Sequence, residues 1–147
     1  MLYRRLPIIA LVVAVFVTGT AARSGAEDLA RRDRMLRLLN QTRRSHDLPV
    51  FRLNRDLSTY AWRHSKRMAE QNRIFHTDDL YRLVRAYGPS SWGENVGMAD
   101  TLRRVRRLWM RSAGHRANIL RRAFRRVGVG VVAARGAVWV TVYFYGG

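Results

Sequence analysis

Cysteine is absent from this chain of 147 residues. No disulfide, cysteine nucleophile or thiolate metal site can form, so stability must come from packing alone. Lysine is nearly absent too, Lys66 being the only one. Acids number 10 against 28 lysines and arginines, for a formal net charge of +18. A surface so short of negative charge is drawn to anionic polymers or anionic lipid headgroups. A genome that favours arginine codons, with a solvated basic surface, would leave the same composition. Internal repeats and low-complexity segments are missing as well. What is present is a 48% hydrophobic composition, enough for one domain with a real core and too apolar for a disordered tail.

Residues 6–17 form an almost wholly apolar run, too short for a comfortable membrane span. The run follows the basic start at 1–5 and precedes small residues, the pattern of a secretory signal peptide. Cleavage after Ala22 or after Ala26 fits the small-x-small rule, and an uncleaved N-terminal anchor is the alternative. Either outcome places the domain at 27–147 outside the cytoplasm. Losing 1–26 would remove Arg4, Arg5 and Arg23 and no acid, so the remainder stays strongly basic.

Over 28–45, Leu29, Met35, Leu36, Leu38 and Leu39 form a stripe between arginines, which predicts a helix ended by Asp47 and Pro49. Asn54 is placed to cap a second helix, with Asp56 near the positive end of its dipole. Leu57, Tyr60, Ala61, His64 and Met68 share one face of that helix. His64 therefore reads as a core histidine satisfied by a hydrogen bond, and His46 as an exposed turn residue. Over 72–91 the periodicity weakens, predicting an irregular crossing with one short helical turn near 80–86. Residues 92–98 read as a short strand carrying Glu94. Asp100 or Thr101 caps a third long helix with Leu102, Val105 and Trp109 on its apolar face. Residues 127–134 and 137–145 are β-branched and aromatic runs joined at Arg135-Gly136, a two-residue hairpin link. Gly128 and Gly130 alternate with valine and leave one strand face bare, the mark of a bulge or a close approach. They are not a dinucleotide fingerprint, because the run continues into a strand and not into a helix.

Gly114 is expected to break the third helix and Ser112 to cap a short helix with His115 in its first turn. From Trp109 to Leu120 the chain reads W-M-x-S-x-G-H-R-x-N-I-L, preceded by Gly93-Glu94-Asn95-Val96. This resembles the bacterial branch of the CAP superfamily, the fold of cysteine-rich secretory proteins, insect venom antigens and plant pathogenesis-related proteins. Leu39-Asn40-Gln41 with Arg43, Leu48-Pro49, Asn54 with Leu57, Met68-Ala69, Phe75-His76 and 127–131 follow in the family's order. Coverage runs from about 33 to 145, and several ordered motifs are far more specific than one. The resemblance implies an α+β fold, a single-domain three-layer α-β-α sandwich.

It also implies that His76, Glu94 and His115 converge in a cleft, which their spacing alone does not show. Two imidazoles and one carboxylate with room for water suit a catalytic-type zinc or a weaker divalent cation, with His76 and His115 as the histidine ligands. The family's second glutamate falls, three residues past Trp109, on Ser112. A paired-carboxylate mechanism thereby loses a partner and leaves Glu94 as the candidate catalytic group. A serine-hydrolase arrangement of Ser112, His115 and Glu94 is disfavoured because Ser112 lies on no nucleophile elbow. The same three site residues could instead form a hydrogen-bonded network that pins loops over the sheet. Asn95 and Asn118 read as groups that satisfy backbone. Most of the aromatics must be core, although some could line an apolar groove such as relatives use for sterols or fatty acids.

The expected function is a secreted or envelope-associated binding module for a small ligand or divalent cation. Its rivals are a metal-assisted hydrolase of peptides or envelope polymers and an electrostatic adhesion protein held to an anionic envelope component. Nucleic acid is set aside, since export and the lack of a binding motif argue against it.

Overall fold

Alanines at 21, 22 and 26 and a lack of proline let the first helix begin before its apolar stripe. Helix α1 spans Val17–Arg44 and not 28–45, so it passes through both candidate cleavage positions. The structure, a computed structural model, describes residues 17–147, with side chains from residue 24 onward. The basic start and residues 6–16 of the apolar run lie outside the described residues. Among the described residues no helix is long and apolar enough to cross a membrane. The C-terminus of α1 is closed by a turn in which Leu48 N donates to Arg43 O and Asp47 takes a φ of 51°.

The remaining elements follow in order: β1 (Arg52–Leu53), α2 (Arg55–Glu70), α3 (Leu80–Val84) with a 3-10 turn at Arg85–Tyr87, and β2 (Ser91–Ala99). Then come α4 (Leu102–Arg111), α5 (Ala113–Leu120), β3 (Arg126–Ala134) and β4 (Ala137–Gly146). Asn54 caps α2 by accepting from Leu57 N at 3.0 Å, as its position predicts. Of the two candidates for α4, Thr101 takes the cap, accepting from Arg104 N at 3.3 Å. Arg135 and Gly136 have φ of 55° and 71°, the pair of positive values that a tight hairpin between right-twisted strands needs. One expectation is corrected. Gly114 lies inside α5, and the break falls at Ser112, where the backbone turns extended (φ −92°, ψ 124°).

The sheet is mixed, ordered β1-β3-β4-β2, with β1 parallel to β3 and the other pairs antiparallel. Strand pleating sends alternate residues to opposite faces. Val140, Val142 and Phe144 meet Met35, Leu39, Val105, Trp109 and Ile119 on the side of α1, α4 and α5. Tyr143 and Tyr145 meet Leu57 and Ala61 of α2, and Trp139 meets Met68. Each such fully buried side chain contributes about 1.5–3 kcal/mol of transfer free energy. The bare face of β3 is where α2 comes close: a Cβ at Gly128 would sit 2.6 Å from Leu57 Cγ, and one at Gly130 would overlap the Ala61–Trp62 peptide. The result is an α-β-α sandwich with β2 along one edge.

Arg43 locks α1 to the far end of the sandwich. It has no exposed surface, donates to the carbonyls of Pro49, Ile119, Arg121 and Phe124, and lies 4.0 Å over the Phe51 ring. Ile119 and Arg121 are at the end of α5, so the guanidinium supplies donors to a helix terminus that would otherwise leave carbonyls unpaired.

Candidate functional site

Glu94 sits on edge strand β2, and its side chain is only 6% exposed. It faces the α2 layer, since its neighbours Gly93 and Gly97 face Asn118 and Trp109 on the other side. The loop after α2 closes over it. His76 Nδ1 lies 2.5 Å from Glu94 Oε2, Thr77 N donates to both oxygens at 3.1–3.2 Å, and Thr77 Oγ1 donates to Oε1 at 2.8 Å. Tyr143, opposite Glu94 on β4, reaches Thr77 Oγ1 at 2.7 Å. Burial, above all, pushes the Tyr143 hydroxyl pKa upward, so it stays protonated and donates that bond. With two oxygens accepting this many charge-assisted bonds, Glu94 acts as a clamp on the 76–77 loop.

His64 belongs to the same constellation. Its Nδ1 is 3.1 Å from Thr141 Oγ1 and 4.0 Å from Glu94 Oε1, and Ser65 Oγ continues the chain to Thr141 Oγ1 and the Gly130 carbonyl. Burial lowers its pKa, opposed in part by the Glu94 charge and reinforced by Arg67. The reading of His64 as a hydrogen-bonded core histidine holds at Nδ1. What sequence reasoning missed is its closeness to Glu94, along with the roles of Thr77 and Tyr143. Only the α2 stripe and the β2–β4 register together could have signalled it.

His115 reaches β2 from the opposite layer. Its Nδ1 lies 3.0 Å from Ser112 Oγ, its ring lies beside Trp109 with centroids 6.1 Å apart, and its carbonyl accepts from Asn95 Nδ2. The Ser112 hydroxyl is thus spent on His115 and makes no side-chain cap on α5, contrary to expectation. Among the described residues the His115 side chain bonds neither Glu94 nor His76, but it feels His76 at a distance. Burial, then the charge on His76, lowers its pKa and keeps the ring neutral at pH 7. Asn95 and Asn118 satisfy backbone as expected, Asn118 Nδ2 donating to Glu94 O and to Asn95 Oδ1. Of the three predicted cleft residues, then, His76 and Glu94 join directly, and His115 stands across the edge strand. A Ser112–His115–Glu94 relay is not assembled, because Glu94 is turned to His76.

An apolar groove of about 280 Å³ lies at that edge, lined by Ile74, Met98, Leu108 and Trp109 together with Ser112 and His115. Ile74, Met98 and Leu108 are 45%, 39% and 46% exposed, a cluster of large apolar groups left open to solvent. Among the described residues no three histidine or acidic groups are placed to hold one metal ion.

This layered sandwich, a mixed four-stranded sheet between helices, is a fold shared with several solved proteins. Residues 36–144 match the CAP family, the cysteine-rich secretory protein family, and the chain belongs to it. YkwD, an uncharacterised protein of Bacillus subtilis, is 30% identical over 129 residues, which are 83% of this chain and 50% of YkwD. The chain therefore spans about half the length of this relative. An extracellular SCP-domain protein of Bacillus anthracis superposes with a TM-score of 0.70 at 22% identity, covering 86% of this chain and 43% of the other. An outer surface protein of Borrelia burgdorferi gives 0.65 at 14% identity, covering 78% and 90%.

Proposed function

We propose that the protein is a secreted or envelope-associated binding module whose edge groove holds a small amphiphilic ligand such as a fatty acid. The carrying observation is an apolar groove whose lining includes His115: an acyl chain would lie against Ile74, Met98 and Leu108, and a polar head would meet the imidazole. Its volume is near the lower end, about 300 Å³, of small-molecule sites. Export is supported by the signal-like pattern of 1–26 and by the extracellular and outer-surface descriptions of the relatives. Titration with a fluorescent fatty acid tests the groove. Met98→Glu with Leu108→Glu should weaken binding about tenfold or more, since two buried apolar contacts of over 1 kcal/mol are lost. Unchanged binding by the folded double variant would remove the proposal.

A second reading, a divalent cation such as zinc at His76 and His115, rests on the ring nitrogen that each imidazole has left over. Each ring spends Nδ1 on a protein oxygen, Glu94 or Ser112, leaving Nε2 as the remaining ligand nitrogen. Two imidazoles without a free carboxylate suit a weakly held ion with open positions. Calorimetric zinc titration should give heat that vanishes in His76→Ala with His115→Ala; equal heats would exclude it. The hydrolase reading gains no support from the geometry, because both Glu94 oxygens are engaged.

A further inference from the structure

We infer that the groove between α1 and α4 is a binding site for a linear phosphate polymer that carries no bases. The groove encloses about 490 Å³ and is lined by Arg34, Arg37, Leu38, Gln41, Arg44 and Arg103. Helical geometry puts Arg34, Arg37 and Arg44 on one face of α1, strung over about 15 Å, and Arg103 of α4 forms the facing wall. All four arginines are exposed. Among the described residues none of them is paired with a carboxylate, whereas Arg31, Arg32 and Arg104 each are. The lining contains no acid. The neighbouring hollow, which shares Arg34 and Arg103, is bounded by Asp100.

Unpaired guanidiniums at this density repel one another and gain most from a partner that brings several anionic groups at once. Arginine is suited to phosphate because its planar fork offers two parallel donors. A concave track between two helices follows a thread better than it follows the plane of a lipid surface. The lining also lacks any aromatic ring on which a nucleobase could stack. These features select a phosphate chain over a membrane or a nucleic acid. The groove lies apart from the edge of β2, so the site is independent of the ligand proposed above.

The test uses the full chain and inorganic polyphosphate as probe, with binding followed over a range of salt. Arg34→Gln, Arg37→Gln and Arg103→Gln together should weaken binding about tenfold or more and reduce the slope of log K against log salt by about one per arginine removed. A control with the same charge change on the α2–α3 side, Arg63→Gln, Arg82→Gln and Arg85→Gln, should stay within about threefold. Equal losses in the two variants would show that net charge alone acts, and absence of polyphosphate binding would dispose of the site. Tighter binding to anionic phosphatidylglycerol vesicles, or to an oligonucleotide of equal charge, would overturn the assignment in favour of that partner. Orthophosphate should compete only weakly, because one phosphate engages a fraction of the track; competition as strong as the polymer's would contradict a linear site.

Discussion

Glu94 and Tyr143 stand opposite each other across the β2–β4 ladder, and both reach the same hydroxyl, that of Thr77. Thr77→Val should therefore strand two groups at once: the carboxylate loses one donor, and the buried phenol loses its acceptor. A cost of about 1–3 kcal/mol is expected in urea unfolding, with Thr77→Ser close to wild type. A valine variant as stable as the parent would mean that the clamp is not there.

Gly130 lies against the Ala61–Trp62 peptide of α2, where a methyl group would meet backbone that cannot rotate away. Gly130→Ala should cost about 3 kcal/mol or more by forcing α2 off the sheet. Gly114→Ala is the contrast, because a Cβ there has nothing within 4 Å and the residue lies in α5. It should be neutral or stabilise by up to about 1 kcal/mol. Thermal melts of the two variants check both signs.

Among the described residues no carboxylate is paired with Arg43. Burial, then repulsion from Arg125 and Arg122, pulls its pKa down to about 10, so it remains charged at neutral pH. Arg43→Met would leave four carbonyls without this donor and should cost about 3–5 kcal/mol. Arg44→Met, exposed one residue on, should change stability by no more than about 0.5 kcal/mol. Chemical denaturation of the pair separates the clamp from a general effect of losing one positive charge.

His64 and His115 both have pKa values lowered mainly by burial. A histidine whose folded pKa is depressed takes up its proton more readily when unfolded. Stability is therefore fully present above the unfolded pKa of about 6.5 and falls as pH drops toward the folded values. Urea midpoints should decline between pH 7 and pH 5, and His115→Gln should flatten part of that decline. A midpoint that rose on acidification would reverse the assignment.

Local signals account for much that was readable beforehand. The cap at Asn54, the hairpin at Arg135-Gly136 and the bare glycine face of β3 each depend on residues near in sequence, whose steric demands do not wait for the rest of the fold. The ordered motifs from Leu39 to Val131 carried the layered architecture. Where expectation failed, the competing partner was close at hand but stronger: Ser112 bonds the His115 ring instead of capping α5, and helix-forming alanines extend α1 back to Val17.

The linear chain by itself settled where most of the helices and the three long strands lie, their order, and the chemical types available: histidines, one well-placed glutamate, and an excess of arginine. It could not settle who meets whom at the edge strand. Pleating turns Glu94 toward α2, where His76, Thr77 and His64 gather, while α5 delivers His115 to the opposite side of β2. Which side chain shares a face with which is decided by strand pairing and layer stacking, long-range arrangements that no spacing along the sequence encodes.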